Sequence, residues 1–326
     1  MNKLVLAVCV SLVATTSMWG VCTPTGFFKD SINLTAALIN PAGTVSGDVD
    51  GTGCNIVVFY DNGRGSIKNA NVHGANYYGV VVDGDAMNVT VDISNSSIHD
   101  IGENPFNGTQ HGVAVYYRSF GSGGATGKIT GNTVSRYQKG GIVVNGDGSS
   151  ANVQDNVVTG LGRVNFIAGN GIQVGYGANA QVMRNTVSGN AYTGPNFASS
   201  GGIIVVGGDF YGGSLTTGVQ IVGNTLVNND VGVFLSNLDA TANAPSTATN
   251  VKAINNTITN DALTNLTGNI SMGYQAGVSD VGNNDKIINN TISGAGYAAP
   301  GSLLTFATPV DADPSFTNRP KVHANK

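Results

Sequence analysis

The sequence is poor in charged side chains, which make up only 10 % of its 326 residues, against roughly 25 % in typical soluble domains. Long helices are not expected, because helical surfaces depend on charged pairs and the 47 glycines disfavour helix. Only 15 residues are lysine or arginine and the pI is near 5.4, so nucleic acid is not an expected partner. Because 41 % of the residues are hydrophobic, the chain can still bury a core and is not expected to be disordered.

Long hydrophobic runs and cysteine are also scarce. An apolar run from Leu4 to Ala14 follows Lys3 and is too short to span a bilayer, so it predicts a secretory signal peptide over residues 1–20. Cleavage would leave Cys22 and Cys54, which predict one disulfide in an exported chain. Two unpaired buried thiols are the alternative. We expect a secreted, periplasmic or cell-surface protein without a transmembrane segment.

What the sequence has in abundance is repetition. A six-residue phrase, of which Ile129-Thr-Gly-Asn-Thr-Val134 is one copy, occurs eight times with variations. Its copies are spaced by 24 residues (Val134 to Val158) to 39 residues (Val187 to Leu226). A second phrase, Gly-Ile-x-Val, lies between them. Each unit therefore holds at least two short strands, and a stack of coils explains such units better than propeller blades do. The predicted inward columns are Val72, Ile98, Val134, Val158, Val187, Leu226, Ile258 and Ile292 for the first phrase, and Val80, Val113, Ile142, Ile172, Ile203 and Val233 for the second.

Asparagine occupies the same position of the first phrase in six units. In a stack these amides would form a hydrogen-bonded column, made of Asn132, Asn156, Asn185, Asn224, Asn256 and Asn290. The two phrases together resemble the repeats of right-handed parallel β-helix proteins, the pectate-lyase-like superfamily, over residues 55–306. The resemblance implies an all-β fold, a single-stranded right-handed parallel β-helix, and says little about activity.

The same resemblance implies an organisation of the chain into a cap, a stack and an end. Residues 21–54 would be an N-terminal cap, in which Asp30 to Asn40 would form a short helix. Residues 307–326 would be a C-terminal tail or cap that protects the last exposed strand edge from pairing with another strand.

Three segments between the phrases are long and would leave the solenoid at one corner: His99–His111, Thr159–Asn170 and Ser188–Gly201. Insertions on one side of a repeat stack commonly form a binding face, although loops that only cover the solenoid are the alternative. Aromatic rings suit sugars because they pair an apolar face with a polar tip, but rings that cap the core are again the alternative. The candidate substrate-binding residues are Phe106, Tyr116, Tyr117, Tyr137, Arg163, Phe166, Tyr176 and Phe197.

Ionisable side chains should converge at this same corner, where His73 and His99 would lie on adjacent coils. The candidate catalytic residues are Asp100, Glu103, His111, Arg136 and Lys139. A hydrolase would use Asp100 and Glu103 as its two carboxylates. A lyase or epimerase would use His111 or Lys139 as the base and Arg136 and Arg163 to stabilise negative charge. A surface ion pair of Asp100 with Arg136, without any chemistry, is the alternative.

Metal coordination and cofactors are not expected. Asp48 with Asp50 and Asp83 with Asp85 are acidic pairs of the kind that Ca²⁺ binds, but neither is followed by the roughly six to eight oxygen ligands that Ca²⁺ needs. Zinc spacing of cysteine and histidine is absent. The sequence also lacks the paired-Asp, Gly-His-Gly and Arg-Ile-Lys elements of polygalacturonases and the Trp-Ile-Asp-His-like element of pectate lyases.

The outward positions of the second phrase form a mostly apolar stripe, which predicts a cover: loops, a terminal segment or a partner. The stripe consists of Val81, Ala114, Val143, Gln173, Ile204 and Phe234. The sequence thus predicts an exported β-helix that binds polysaccharide, with lyase, hydrolase or epimerase activity left open. The alternative is a non-catalytic adhesion or structural solenoid that docks another protein through the stripe. Ice binding by outward hydroxyls is a third interpretation, weakened by Val157 and Val227 in the ladder.

Overall fold

The computed structural model describes residues 21–196, 198–263, 273–298, 305–312 and 321–323. Within these ranges the chain forms 28 strands and two single turns of 3₁₀ helix, Asp209–Tyr211 and Ala295–Tyr297. Short β-branched segments broken by Gly and Asn favour strands of this length. The strands are β1 (Thr23–Lys29), β2 (Ile32–Ile39), β3 (Thr44–Asp50), β4 (Ile56–Tyr60), β5 (Arg64–His73), β6 (Tyr78–Asp83), β7 (Val89–Ser94), β8 (Ser97–Ile101), β9 (Val113–Arg118), β10 (Ala125–Thr130), β11 (Thr133–Tyr137), β12 (Gly140–Asn145), β13 (Ser149–Gln154), β14 (Val157–Val164), β15 (Asn170–Gly175), β16 (Asn179–Met183), β17 (Thr186–Tyr192), β18 (Gly201–Gly207), β19 (Gln220–Val222), β20 (Thr225–Val227), β21 (Val231–Asn237), β22 (Lys252–Ile254), β23 (Thr257–Thr259), β24 (Gly273–Asp280), β25 (Lys286–Ile288), β26 (Thr291–Ser293), β27 (Thr305–Ala312) and β28 (Lys321–His323).

Successive coils stack their strands in parallel, as the sequence predicts for a β-helix. Sheet A has eleven strands in the order β1-β2-β4-β6-β9-β12-β15-β18-β21-β24-β27, and its first pair, β1 with β2, is antiparallel. The other 17 strands form two ladders that share β3 and β5. We call these sheet B (β3-β5-β7-β10-β13-β16-β19-β22-β25-β28) and sheet C (β3-β5-β8-β11-β14-β17-β20-β23-β26). Each coil therefore passes through sheets B, C and A in turn.

The core lies inside the coils and consists of columns of aliphatic side chains. The first predicted column is confirmed: Val72 pairs with Ile98, and the register continues without a slip to Ile292. All of its members are buried. Because neighbouring strands lie about 4.8 Å apart, each side chain packs directly on its equivalent in the next coil.

The second predicted column is wrong at one coil. Val80 pairs with Val115 rather than with Val113, and Val115 pairs in turn with Ile142. The column then continues as predicted through Ile172, Ile203 and Val233.

This slip of two residues arises at Gly112. With φ 90°, Gly112 ends the preceding loop instead of opening the strand, and Ala114 takes the place that Gly79 holds one coil earlier. Tyr116 therefore occupies the outward stripe where Ala114 was expected. Tyr117 points into the core and is fully buried.

The predicted asparagine column is confirmed as a continuous ladder. Asn185 Oδ1 accepts hydrogen bonds from the backbone N–H and the Nδ2 of Asn156, at 3.0 and 2.9 Å. The same pattern joins every neighbouring pair from Asn132 to Asn290. These buried amides satisfy the backbone of the turn between sheets B and C, so this turn keeps the same form in each coil.

The predicted capping helix is wrong, because Ile32–Ile39 form strand β2. Leu34 and Ala36 are fully buried with more exposed residues between them, which is the two-residue period of a strand. β2 pairs with β4 on one side and with β1 on the other. The parallel stack thus begins inside the predicted cap of residues 21–54.

The two ends of the chain differ in how far the structure describes them. The predicted disulfide is confirmed: Cys22 bonds Cys54, with a Cα–Cα distance of 5.3 Å. At the other end, β27 and β28 continue the parallel pairing, so the predicted boundary at residue 306 falls inside β27. The predicted signal peptide, residues 1–20, lies outside the described residues. Among the described residues, no helix has the length and apolar character needed to cross a membrane.

Strand β1 covers the first part of the outward stripe. Phe27 of β1 packs against Phe59 and Tyr78, with ring centroids 6.2 and 5.8 Å apart, and Tyr78 stacks on Tyr116 at 5.3 Å. Within the stripe, Val81 and Val143 are buried, whereas Ile204 and Phe234 are half-buried. A terminal segment is therefore the cover for the first coils.

Candidate functional site

A cleft of about 730 Å³ opens at the corner between sheets C and A of the first coils. Its wall is mainly polar and includes several asparagines and glycines. It brings together four of the predicted residues: Asp100, Glu103, Phe106 and Arg136. The full lining is Thr52, Gly53, Cys54, Asn55, His73, Gly74, Asn76, Asp100, Gly102, Glu103, Asn104, Pro105, Phe106 and Arg136.

Asp100 stands at the centre of the charged groups in this cleft. Its Oδ1 accepts a hydrogen bond from Arg136 Nε at 2.5 Å, and its Oδ2 lies 2.6 Å from His99 Nδ1. Partial burial acts to raise the pKa of Asp100, but the hydrogen bonds from His99 and Arg136 outweigh it and the pKa is lowered. Asp100 is therefore an anion at neutral pH.

A row of hydrogen bonds supports His99 behind Asp100. His99 Nε2 lies 2.8 Å from Asn71 Oδ1, and Asn71 Nδ2 donates to Asp48 Oδ1 at 2.7 Å. Asn71 therefore links the imidazole of His99 to the carboxylate of Asp48. The ring of His73 stacks on His99, with centroids 5.3 Å apart.

Glu103 lies in the loop that joins β8 to β9 and is paired with a histidine. Its Oε1 is 2.6 Å from His111 Nε2 and accepts a longer hydrogen bond, 3.4 Å, from Asn76 Nδ2. His111 is buried and stacks on Tyr77 with centroids 3.8 Å apart. His111 is therefore behind the cleft wall, where it contacts Glu103.

Gln138 holds this loop in place from the next coil and is a residue that the sequence reasoning missed. Its Oε1 accepts from the backbone N–H groups of Glu103 and Asn107, and its Nε2 donates to Thr109 and to the backbone oxygen of His111. The corner between β11 and β12 has only two residues. A polar side chain in so short a corner, beside the eleven-residue loop between β8 and β9, was the available signal.

Phe106 and Arg136 form the outer side of the cleft. The Arg136 guanidinium carbon lies 5.6 Å from the centre of the Phe106 ring. A cation over an aromatic face is attracted to it. Phe106 and Arg136 therefore form one side of the cleft, which combines an apolar ring with hydrogen-bond donors.

The other predicted catalytic and cationic residues do not reach the cleft. Lys139 Nζ donates to the backbone oxygen of Ala168 at 2.8 Å, and burial lowers the pKa of Lys139. Arg163 pairs with Asp261 at 2.9 Å. Arg136 is thus the one predicted cation that lines the cleft.

Most of the predicted aromatic residues also lie elsewhere. Tyr117 and Tyr137 are in the core, where the Tyr137 hydroxyl donates to Asn190 Oδ1 at 2.7 Å. Tyr116 lies in the cluster covered by β1, and Tyr176 follows β15 at the opposite end of sheet A. The predicted tyrosine-lined groove is therefore not formed by these residues.

The loops themselves do adjoin one another, as predicted. A Cβ on Gly108 would lie 3.0 Å from the backbone oxygen of Phe166, which places the first two long loops in contact. Thr193 N–H donates to Val164 O at 2.8 Å, which joins the second loop to the third. Phe166 is exposed beside the cleft loop, and Phe197 lies outside the described residues.

The two acidic pairs considered for Ca²⁺ already have cationic or imidazole partners. Arg118 contacts both Asp83 and Asp85 at 2.6 Å, and His73 lies 3.2 Å from Asp48. In the described part of the chain, no three or more His, Cys, Asp or Glu side chains converge as metal ligands would.

Comparison with known proteins agrees with this architecture. A family model described as "Right handed beta helix region" matches residues 54–235. Among solved structures, the fold is similar to that of the Dettilon tailspike protein (gp208), with a TM-score of 0.41 and 13 % sequence identity. The match covers 85 % of this chain and 61 % of the tailspike chain, so this chain spans about three-fifths of the tailspike's length. No curated protein sequence matches the chain.

Proposed function

The chain belongs to the right-handed β-helix family, and we propose that it is an exported protein that binds a polysaccharide in the cleft of Asp100 and Arg136. The observation that carries the proposal is the make-up of the cleft wall. Two carboxylates, one guanidinium, one imidazole and three asparagines line the cleft together with the phenyl ring of Phe106. Sugars present hydroxyls to such polar groups and C–H faces to a ring, so this wall matches a glycan better than an apolar ligand.

Hydrolysis is the reaction that the cleft supports best. Asp100 and Glu103 both line it, and glycoside hydrolysis uses two carboxylates. Asp100, held as an anion, would act as base or nucleophile, and Glu103 would be the second carboxylate of the reaction.

Lyase and epimerase reactions are less well supported. They need cations that stabilise a developing negative charge next to the substrate carboxylate. Lys139 contacts Ala168 and Arg163 contacts Asp261, while the charge of Arg136 is neutralised by Asp100.

Protein docking through the outward stripe is also less well supported, because its first coils are buried. Phe27 packs over this end of the stripe, and both Val81 and Val143 are inaccessible.

Affinity electrophoresis of residues 21–326 in gels that contain neutral or acidic polysaccharides tests the binding proposal. We expect retardation by at least one polysaccharide, and about tenfold weaker binding after Phe106→Ala or Arg136→Ala. Arg184→Ala is a matched control, since Arg184 forms a similar ion pair with Asp155 between adjacent coils away from the cleft. Failure of every polysaccharide to retard the protein would contradict the proposal.

Release of reducing ends from the bound polysaccharide tests the reaction. Asp100→Asn and Glu103→Gln are expected to abolish release without lowering the melting temperature, with Asp155→Asn as the control. Retained release in both variants would place the chemistry elsewhere.

A further inference from the structure

Exposed aromatic side chains gather at the corner where the strands of sheet A end, which is the opposite end from the cleft. Phe120 follows β9, Tyr176 follows β15, and Phe210 and Tyr211 lie in the 3₁₀ turn after β18. Phe120 is 54 %, Phe210 52 % and Tyr211 36 % exposed. We call these four residues the aromatic ridge.

The aromatic ridge is continuous along the solenoid axis. The rings of Phe120 and Tyr176 lie 6.1 Å apart, and those of Phe210 and Tyr211 lie 5.0 Å apart. A Cβ on Gly213 would come within 2.7 Å of Tyr176 Cδ1, so the turn that carries Phe210 and Tyr211 packs directly on Tyr176. Because β9, β12, β15 and β18 are consecutive in sheet A, the ridge extends over about 14 Å of stacked coils.

The rings are held in place rather than left free. Tyr176 has φ 57°, a conformation that costs energy for a bulky residue and persists only when the surroundings impose it. The Tyr211 hydroxyl is 2.7 Å from Ser236 Oγ on the next coil. Arg118 lies 5.5 Å from the ring of Phe120, whose backbone N–H donates to Asp85 Oδ1. Rings fixed in this way lose little freedom when a ligand stacks on them.

The charge beside the aromatic ridge is negative. Asp147 and Asp209 are exposed there, and Arg118 is neutralised by contacts with both Asp83 and Asp85. A negative field repels uronate chains, nucleic acid and acidic lipid surfaces. The carboxylates of Asp147 and Asp209 are instead acceptors for the hydroxyls of an uncharged sugar.

We propose that the aromatic ridge is a second binding surface, on which successive rings of a neutral polysaccharide stack as the chain runs along the solenoid axis. This inference rests on the proposed function for the class of ligand, and it adds a separate surface and a neutral glycan. Rings spread along the solenoid axis, on the coils of β9, β15 and β18, fit a linear polymer, because separate sugar units can contact separate aromatic side chains. The cleft lies at the other end of the sheet A strands, so the two surfaces can be tested separately.

The test compares a double variant, Phe120→Ala with Phe210→Ala, against the native protein in affinity gels. The probes are hydroxyethyl cellulose, dextran, laminarin and galactomannan, with carboxymethyl cellulose as the anionic counterpart. We expect the double variant to bind the neutral polymer that retards the native protein at least about tenfold more weakly than the native protein does. Both replaced side chains are more than half exposed, so the melting temperature is expected to stay unchanged.

Two controls separate the aromatic ridge from the cleft. Phe28→Ala removes an equally exposed ring, 64 % exposed, from strand β1 and is expected to leave binding unchanged. Phe106→Ala is expected to weaken the binding of a tetrasaccharide of the same sugar about tenfold, whereas the double variant should bind it as the native protein does.

Unchanged retention of every neutral polymer by the double variant would overturn the aromatic ridge and leave the cleft intact. Loss of binding to the neutral polymers in the double variant but not in Phe106→Ala would support the ridge and refute the cleft. Loss of binding to carboxymethyl cellulose in the double variant, with binding to hydroxyethyl cellulose unchanged, would refute a neutral ligand at the ridge. Absence of retention of the native protein by all polymers would refute both surfaces.

Discussion

Glu103 and Gln138, which lie on adjacent coils, are joined by a hydrogen bond of 3.1 Å from the backbone N–H of Glu103 to Gln138 Oε1. Gln138 is only 1 % exposed, so the polar groups around it depend on one another rather than on water. The position of a carboxylate in the cleft is therefore set by a side chain from the next coil.

Gln138→Ala is expected to loosen the loop that carries Glu103, because the backbone N–H groups of Glu103 and Asn107 lose their acceptor. The free energy of unfolding should fall by about 1–3 kcal/mol. Amide hydrogen exchange over residues 103–109 should accelerate, and polysaccharide binding should weaken. Gln181→Ala, on the exposed face of sheet B, is the control. Unchanged exchange in Gln138→Ala would show that the loop does not depend on this side chain.

Asn185→Ala is expected to break the asparagine ladder at its centre. Both the backbone N–H and the Nδ2 of Asn156 then lack an acceptor in a buried turn, so the free energy of unfolding should fall by about 2–4 kcal/mol. Urea unfolding followed by circular dichroism measures this loss. Asn179→Ala removes an exposed asparagine and should change stability by less than about 0.5 kcal/mol. Equal effects of the two substitutions would argue against a structural role for the ladder.

Asp280 and Asp285 predict a loss of stability as pH rises. Both are buried, and burial raises the pKa of each carboxyl, with the charge of Asp285 raising that of Asp280 further. Above the ordinary aspartate pKa of 3.8 the folded state therefore binds more protons than the unfolded state, so stability falls until pH exceeds the raised pKa values.

Asp280→Asn tests this reasoning, because an amide replaces the protonated carboxyl without a charge. The variant should lose less stability than the native protein between neutral and alkaline pH, as measured by urea unfolding across that range. Asp147→Asn, at an exposed aspartate, should leave the native pH profile unchanged. An alkaline loss in Asp280→Asn that equals or exceeds that of the native protein would refute the assignment of this pH dependence to Asp280.

Replacement of Cys22 and Cys54 by serine is expected to destabilise the first coils. The disulfide closes a segment with a sequence separation of 32 residues, and loops of this size are worth about 3–4 kcal/mol. β1 should become susceptible to limited proteolysis, because Cys22 immediately precedes it and Phe27 then loses part of its anchorage over Tyr78. Cleavage in β1 at the same rate with and without the disulfide would contradict this role.

The columns inside the solenoid were predictable because the position of a residue within the repeated phrase decides whether its side chain faces the core. Along a strand, alternate side chains face the same side, so the position of each residue in the Asn-Thr-Val phrase decides whether it faces the core. The inward column from Val72 to Ile292 and the ladder from Asn132 to Asn290 both follow from this counting. The contact of Asp100 with Arg136 follows in the same way. His99 and Ser135 are paired in adjacent strands, and Asp100 and Arg136 are the residues that follow them in the chain.

The wrong predictions lie where a strand does not begin at the expected residue of the phrase. Gly112 matches the glycine that opens the other strands, yet it closes a loop, and the side chains that follow are displaced by two residues. Tyr117 therefore lies in the core, and Tyr116 lies under β1 rather than in a groove. Where a strand resumes after a long loop depends on how that loop packs, which a local pattern does not encode.

The repeated phrases, with Cys22 and Cys54, were sufficient to predict the stacked strands, the first inward column, the asparagine ladder and the disulfide. The packing of the folded chain sets which polar residues share the cleft, which partners Lys139 and Arg163 contact, and where the exposed rings lie on sheet A. The difference arises from the range of the contacts involved. A repeat specifies the pairing of neighbouring coils, whereas Arg163 pairs with Asp261, 98 residues away, and such contacts depend on how loops of unequal length lie across several coils.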